Sequence, residues 1–182
     1  MAAPFLEILT RVYKRPRMLA VNQESVKALG TDVLHTLLID EVGCGVEWAQ
    51  ENLANYNTSL QGRYIWILDD DDKCIRPDLV NELRAIVATW NPDVIMVKMD
   101  HHERGVLPSN GHWQKPPEHG FIGCSAYIVK REIWQGNAAA WFPGSYYSDF
   151  NFIKALFDGG VFVYWHDVVA SEVQRISLGR PE

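Results

Sequence analysis

Four consecutive aspartates, Asp69 to Asp72, stand directly behind the apolar run Tyr64-Ile65-Trp66-Ile67-Leu68. That run has the length and the aromatic and β-branched composition of a buried strand. The chain is therefore expected to drive a strand through its core and end it in concentrated negative charge. Left unpaired, neighbouring carboxylates repel one another and lower stability. A divalent cation offsets that repulsion, and a cation at a strand's carboxyl end is placed to hold phosphate.

Strand and helix signals alternate around this feature. Phe5 to Leu9 reads as a strand, Pro16 suits the first turn of a helix, and Met18, Leu19, Val26 and Leu29 share one face of it before Gly30. Val33 to Ile39 reads as a strand. Val46, Ala49, Leu53, Tyr56 and Leu60 follow at helical spacing and close at Gly62. After the aspartates, Pro77 opens a helix carrying Leu79, Leu83, Ile86, Val87 and Trp90, and Val94 to Met99 is a further strand. This alternation predicts an α/β fold, a single Rossmann-like domain with a mostly parallel sheet covered by helices on both faces. Ligands collect at the carboxyl ends of such strands, where Thr10-Arg11, Asp40-Glu41 and the aspartate run all fall.

Beyond Met99 the pattern changes. Residues 101–119 form a long polar connection, of the kind that is more often functional or mobile than idle. Phe121 to Val129 returns to strand character, and Ser148 to Asp158 reads as a helix with Phe150, Ile153 and Phe157 on one face. Val161 to Trp165 is expected as the last strand, ending in His166-Asp167. Arg175 and Arg180 in the tail read as a lid over phosphate or as solvated charges.

With 182 residues and 47% hydrophobic side chains the chain can bury a core. Its net charge of −6 argues against a nucleic-acid partner. Its apolar stretches fall far short of a membrane span. Met1 to Leu9 lacks a basic lead, so no signal peptide is expected, and Cys44, Cys74 and Cys124 show no metal or disulfide spacing. A cytoplasmic location with reduced thiols is the expectation.

On an extended backbone alternate side chains point the same way, which would put Asp69 and Asp71 on one face and Asp70 and Asp72 on the other. One pair could reach a metal and a ribose while the other caps the following helix. The bland alternative is a solvated acidic turn.

Leu68-Asp69-Asp70-Asp71-Asp72 resembles the L-D-x-D-D signature of the GT-A-fold, family 2 inverting glycosyltransferases. Gly62-Arg63-Tyr64-Ile65 matches the G-x-Y-I lead into that strand. Thr10-Arg11-Val12-Tyr13-Lys14-Arg15-Pro16 resembles the family's first nucleotide-binding loop. Ile39-Asp40 sits where the family places a nucleobase contact, Ser148-Asp149-Phe150 where it keeps a catalytic base, and His166 where many members have an additional metal ligand. Asp40-Glu41-Val42-Gly43 departs from the family's D-D-G-S/T loop, and no Q-x-x-R-W motif is present.

The resemblance implies a metal-dependent transferase, with residues 1–99 as its nucleotide-binding half and 100–182 as its acceptor and metal half with a C-terminal tail. It would move a sugar, with inversion, from a UDP- or GDP-sugar to a glycan, lipid-linked or small-molecule acceptor. Mn²⁺ or Mg²⁺ on Asp71, with His166, would stabilise the leaving diphosphate. Thr10, Arg11, Tyr13, Arg15, Asp40, Arg63, Asp69 and Asp70 would bind the nucleotide, and Asp149 would act as base. Each residue has a plainer role open to it: Asp149 a helix cap, His166 a strand-end histidine, Asp40 a turn former, the arginines surface charges. His112 and Trp113 are candidates for stacking on an acceptor, and His101-His102-Glu103 reads as a solvated loop. A nucleotide-sugar-binding module without transfer activity is the alternative reading, and a sugar nucleotidyltransferase a more distant one.

Overall fold

A computed structural model of the chain describes residues 3–175, so the reading of Arg180 as part of a lid lies outside the described residues. The apolar runs become strands of one sheet: β1 (Leu6–Val12), β2 (Val33–Ile39), β3 (Tyr64–Ile67), β4 (Asp72–Cys74), β5 (Val94–Asp100), β6 (Val106–Leu107), β7 (Tyr127–Lys130) and β8 (Val163–Val173). Their order is β2-β1-β3-β7-β5-β8-β4, with β6 on β5. β1 is parallel to β2 and β3, and β5 is parallel to β8. β7 runs antiparallel to both β3 and β5, so β5 shares the direction of β3 across it. The carboxyl ends of β1, β2, β3, β5 and β8 therefore lie at one edge of the sheet. The amino end of the reversed β7 arrives there too.

Five helices cover both faces: α1 (Pro16–Lys27), α2 (Gly45–Asn55), α3 (Leu79–Trp90), α4 (Arg131–Asn137) and α5 (Ser148–Asp158). One layer packs Val26 and Leu29 with Leu79, Leu83 and Val87 onto Leu6, Ile8, Trp66 and Ile95. The other packs Leu53, Trp134, Phe152 and Leu156 onto Leu9, Ile65, Ile67 and Val129. Trp141 stacks on Phe152 at 4.7 Å between centroids. Each such buried aromatic contributes about 2–3 kcal/mol through burial alone.

Several boundaries differ from the sequence reading. β1 continues past Leu9 to Val12 because Thr10, Arg11 and Val12 pair with Leu37, Leu38 and Ile39 of β2. Thr10 and Arg11 thus sit on the end of a strand rather than in the loop after it. The stretch from Phe121 contributes strand only from Tyr127, after a 3₁₀ turn over Cys124–Ala126. The last strand does not end at His166. Met96 faces Trp165 but Lys98 faces Val169, so extra residues bulge out of β8 around His166 and pairing resumes as far as Val173.

The long 101–123 connection is pinned to the core. Trp113 meets Trp165 edge-on at 4.9 Å, His112 stacks on Phe121 at 3.9 Å, and the Lys98 ammonium lies 4.7 Å from the Trp113 ring. His112 and Trp113 are therefore packing residues and do not line the main cleft.

Candidate functional site

A cleft of about 940 Å³ opens at the carboxyl edge of the sheet. This is within the range of small-ligand sites. Arg11, Tyr13, Arg15, Asp40, the four aspartates and Asp149 all line it. Strand direction explains the convergence, since each lies at or just past the carboxyl end of a parallel strand or stands at the amino end of α5.

The aspartate run is a turn, not an extended segment. Asp70 and Asp71 link β3 to β4, and the Asp72 N–H donates back to the Asp69 carbonyl at 2.9 Å. The expected alternation of faces is therefore lost. The Arg11 guanidinium donates from Nε to Asp69 Oδ1 at 2.6 Å and from Nη2 to Asp69 Oδ2. Arg15 Nη1 contacts Asp70 Oδ1 at 2.6 Å and Asp71 Oδ2 at 2.9 Å. Asp70 Oδ2 also accepts the Tyr13 N–H at 2.9 Å. Two arginines thus neutralise much of the charge that the sequence concentrates here.

The carboxyls respond differently. Burial works to raise Asp69, but Arg11 outweighs it and holds the group below the usual carboxylate range. For Asp70 burial outweighs the Tyr13 amide and Arg15, and the carboxyl is pushed up to about 6. Asp72 is pushed well up by burial and by Asp71 and Asp69. Asp149 is raised by burial, against the opposing Phe150 N–H and the Arg11 charge.

Side chains that local pattern did not single out hold the turn. Asn22 of α1 donates from Nδ2 toward the carbonyls of Leu68, Asp69 and Asp72 at 3.2, 2.9 and 3.1 Å. Its signal is a polar residue on the buried stripe Met18, Asn22, Val26. Gln174 donates its backbone N–H to the Asp71 carbonyl at 2.7 Å. Gln50 accepts Arg11 Nη1 at 2.9 Å, and the Cys124 thiol donates to Asp69 Oδ2 at 3.3 Å. Cys124 is pushed well up by burial and by Asp69, which leaves it a thiol.

Asp40 shapes the neighbouring loop. Oδ1 accepts the N–H groups of Val42 and Gly43 at 3.0 and 2.7 Å, and Oδ2 accepts that of Cys44 at 2.6 Å. Burial works to raise its pKa, but these amides outweigh it and lower it. Gly43 adopts φ +94°, and a Cβ there would run into the Tyr13 ring. The Tyr13 and Asp40 loops are thus packed as one wall.

Three expected site residues lie elsewhere. Thr10 is fully buried, donating to the Leu68 carbonyl at 2.7 Å and bonded to His35 Nε2 at 2.8 Å. It ties strands together and does not line the cleft. Arg63 precedes β3 at the opposite, amino edge of the sheet and donates to Asn91 Oδ1 at 2.9 Å. His166 sits on the β8 bulge with Nε2 2.9 Å from Glu82 Oε2 of α3, outside the cleft lining. The metal role expected of His166 loses its geometric basis because β8 runs on to Val173, which does line the cleft.

Among the described residues no group of three or more His, Cys, Asp or Glu side chains could hold a metal ion. A closed protein cage is therefore not built here. The donor set does fit a hard cation that takes one or two protein carboxylates and completes its shell with phosphate and water. Asp71 is partly exposed on the cleft wall and meets that need. The loop after β5 adds His101, Glu103 and Arg104 to the lining, so His101 and Glu103 of the expected solvated loop border the cleft.

No protein-family model and no curated protein sequence matches this chain. Solved structures do. Residues 1–349 of S. aureus TarS in complex with UDP-GlcNAc align over 97% of this chain and 60% of theirs, at 13% identity and a TM-score of 0.68. The same TarS fragment with UDP gives 12% identity and a TM-score of 0.71 over 95% and 61%. A glycosyltransferase involved in glycosylation of the major capsid of PBCV-1 aligns over 98% and 96%, at 9% identity and a TM-score of 0.59. The chain thus has a glycosyltransferase-like, Rossmann-type α/β fold. It spans about 60% of the TarS fragment's length. No helix among the described residues is long and apolar enough to cross a membrane.

Proposed function

We propose that this chain is a glycosyltransferase that takes a nucleotide-diphosphate sugar, UDP- or GDP-linked, as donor and an acceptor hydroxyl as nucleophile. One observation carries the reading. The aspartate turn, its two arginines, the Tyr13–Asp40 wall and Asp149 all line one cleft at the carboxyl edge of a parallel sheet. The UDP and UDP-GlcNAc complexes of the TarS fold relative support the choice of donor class.

Tyr13 and Asp40, both in the cleft wall, would take the base and ribose. Arg11 and Arg15 set positive charge beside the diphosphate, in a cleft where partial burial strengthens electrostatics. Asp149 accepts the acceptor's proton as its oxygen bonds to the anomeric carbon. The bond from that carbon to the diphosphate oxygen breaks, and the electron pair leaves with the nucleoside diphosphate. Attack from the face opposite the leaving group inverts the centre. Mn²⁺ or Mg²⁺, held by Asp71 together with the diphosphate, would supply further charge neutralisation on the leaving group.

The test is release of nucleoside diphosphate from a panel of UDP- and GDP-sugars. The reading expects turnover with at least one donor that is lost in Asp149→Asn while donor binding persists. Binding without turnover across donors and acceptors would leave a nucleotide-sugar-binding module.

A further inference from the structure

The 119–150 side of the cleft carries an aromatic ledge to which the nucleotide roles proposed above assign nothing. Tyr146 and Tyr147 are 71% and 51% exposed, although both line the cleft. Their rings meet edge-on at 5.6 Å between centroids. Behind them His119 meets Tyr147 at 4.5 Å and Phe150 at 5.4 Å, both edge-on. Large exposed aromatics grouped in one concave wall are uncommon unless something covers them.

The ledge is held in place. Gly144 packs so closely on α2 that a Cβ would strike the Glu47 carbonyl, and its N–H donates to Glu51 Oε1 at 3.3 Å. The Ser145 N–H donates to Ser148 Oγ at 2.9 Å, closing the turn onto the start of α5. Asp149 follows Tyr147 by two residues. Both rings and Asp149 line the same cleft, so the rings offer a surface to an acceptor whose hydroxyl reaches Asp149.

We propose that Tyr146 and Tyr147, backed by His119 and Phe150, form the acceptor subsite, and that the acceptor is itself a saccharide. The proposal rests on the glycosyltransferase reading and deepens it. A pyranose ring offers a face of C–H bonds, which packs on the negative face of an aromatic ring, and an edge of hydroxyls. Tyrosine supplies the matching flat face and phenol. The polar cleft residues Glu103 and Arg104 suit hydroxyls and would leave an acyl chain facing charge. Because the ledge is already ordered, little conformational freedom is lost on binding.

Saturation-transfer NMR with glucose, galactose, N-acetylglucosamine, rhamnose, maltose and lactose tests it, with a UDP and GDP melting-shift series run on the same samples. At least one sugar should receive saturation on its ring C–H protons. Affinity should fall about tenfold or more in Tyr146→Ala with Tyr147→Ala, the loss expected for a stacked anchor. It should survive Tyr146→Phe with Tyr147→Phe. Nucleotide shifts should be unchanged in both double variants. Tyr146→Ala alone, at an exposed ring, covers the case in which the double variant fails to fold. No saccharide signal, or a signal indifferent to removal of the rings, overturns the proposal. A ring-dependent saccharide signal in a protein that no nucleotide diphosphate stabilises overturns the transferase reading instead and keeps the saccharide site.

Discussion

Arg11 lies across Asp69 with its Nε and Nη2 groups on the two carboxylate oxygens. One residue closes the first strand and the other opens the aspartate turn, so this fork joins β1 to the cleft wall. Bidentate pairing adds direction as well as energy. Removing one partner leaves the other charge partly buried and unpaired.

Arg11→Met should therefore destabilise the fold by about 3 kcal/mol, the low end for breaking a buried ion pair because the pair's rim reaches solvent. Arg11→Lys keeps the charge but not the fork and should lose less. Urea unfolding measures both, and the slope with denaturant should stay constant.

Asn22→Leu keeps the volume of the side chain but removes the amide that reaches the carbonyls of Leu68, Asp69 and Asp72. Leaving buried acceptors without their donor should cost about 2 kcal/mol. Because those carbonyls belong to the aspartate turn, nucleotide affinity should weaken as well. Calorimetry on the folded variant reads that loss separately from stability.

Much of this was legible in the sequence. The apolar runs and their alternation foretold the sheet, and the polar residues at the carboxyl ends of β1, β2 and β3 foretold where a cleft would lie. Asp149 was marked only by the family resemblance of Ser148-Asp149-Phe150, since its place at the head of a helix suits a cap equally well. What stayed hidden depends on partners far away in the chain. Nothing near residue 166 signals that β8 bulges there and resumes, so His166 read as a strand end. Arg63 adjoined the right strand at the wrong edge, a distinction made only by strand direction. Asp70 and Asp71 share Arg15 because β4 begins at Asp72, and a three-residue strand on a sheet edge has no periodicity to read. The aromatic ledge was missed because Tyr146 and Tyr147 stand in a turn, outside any repeating pattern.

Gly43→Ala places a methyl group against Tyr13 at a backbone angle that favours glycine. The two loops must separate. Nucleotide affinity should fall about tenfold or more, whereas global stability falls by only about 1 kcal/mol because the strain is confined to one surface loop. Titration of UDP and GDP alongside thermal unfolding distinguishes the two effects.

Burial raises the Asp149 carboxyl above its ordinary value. A general base works only when ionised, so kcat/KM should decline as pH drops through this raised pKa. The acid limb should lie above the usual aspartate value of about 3.9. The stability effect has the opposite sign. Between the unfolded and folded pKa values the folded protein holds more protons, so the Asp149 contribution to stability diminishes as pH rises. Asp149→Asn should abolish that component. An acid limb at the ordinary carboxylate value would show that Asp149 is not the base.

The central claim is that the aspartate turn and its arginines hold a nucleoside diphosphate. Isothermal titration of UDP and GDP, with and without Mn²⁺, tests it most directly in the wild-type chain and in Asp71→Ala. Saturable binding of at least one nucleotide, tightened by Mn²⁺, is expected, with the Mn²⁺ gain lost in Asp71→Ala. Heat traces that stay flat for both nucleotides in the presence of the cation would contradict it.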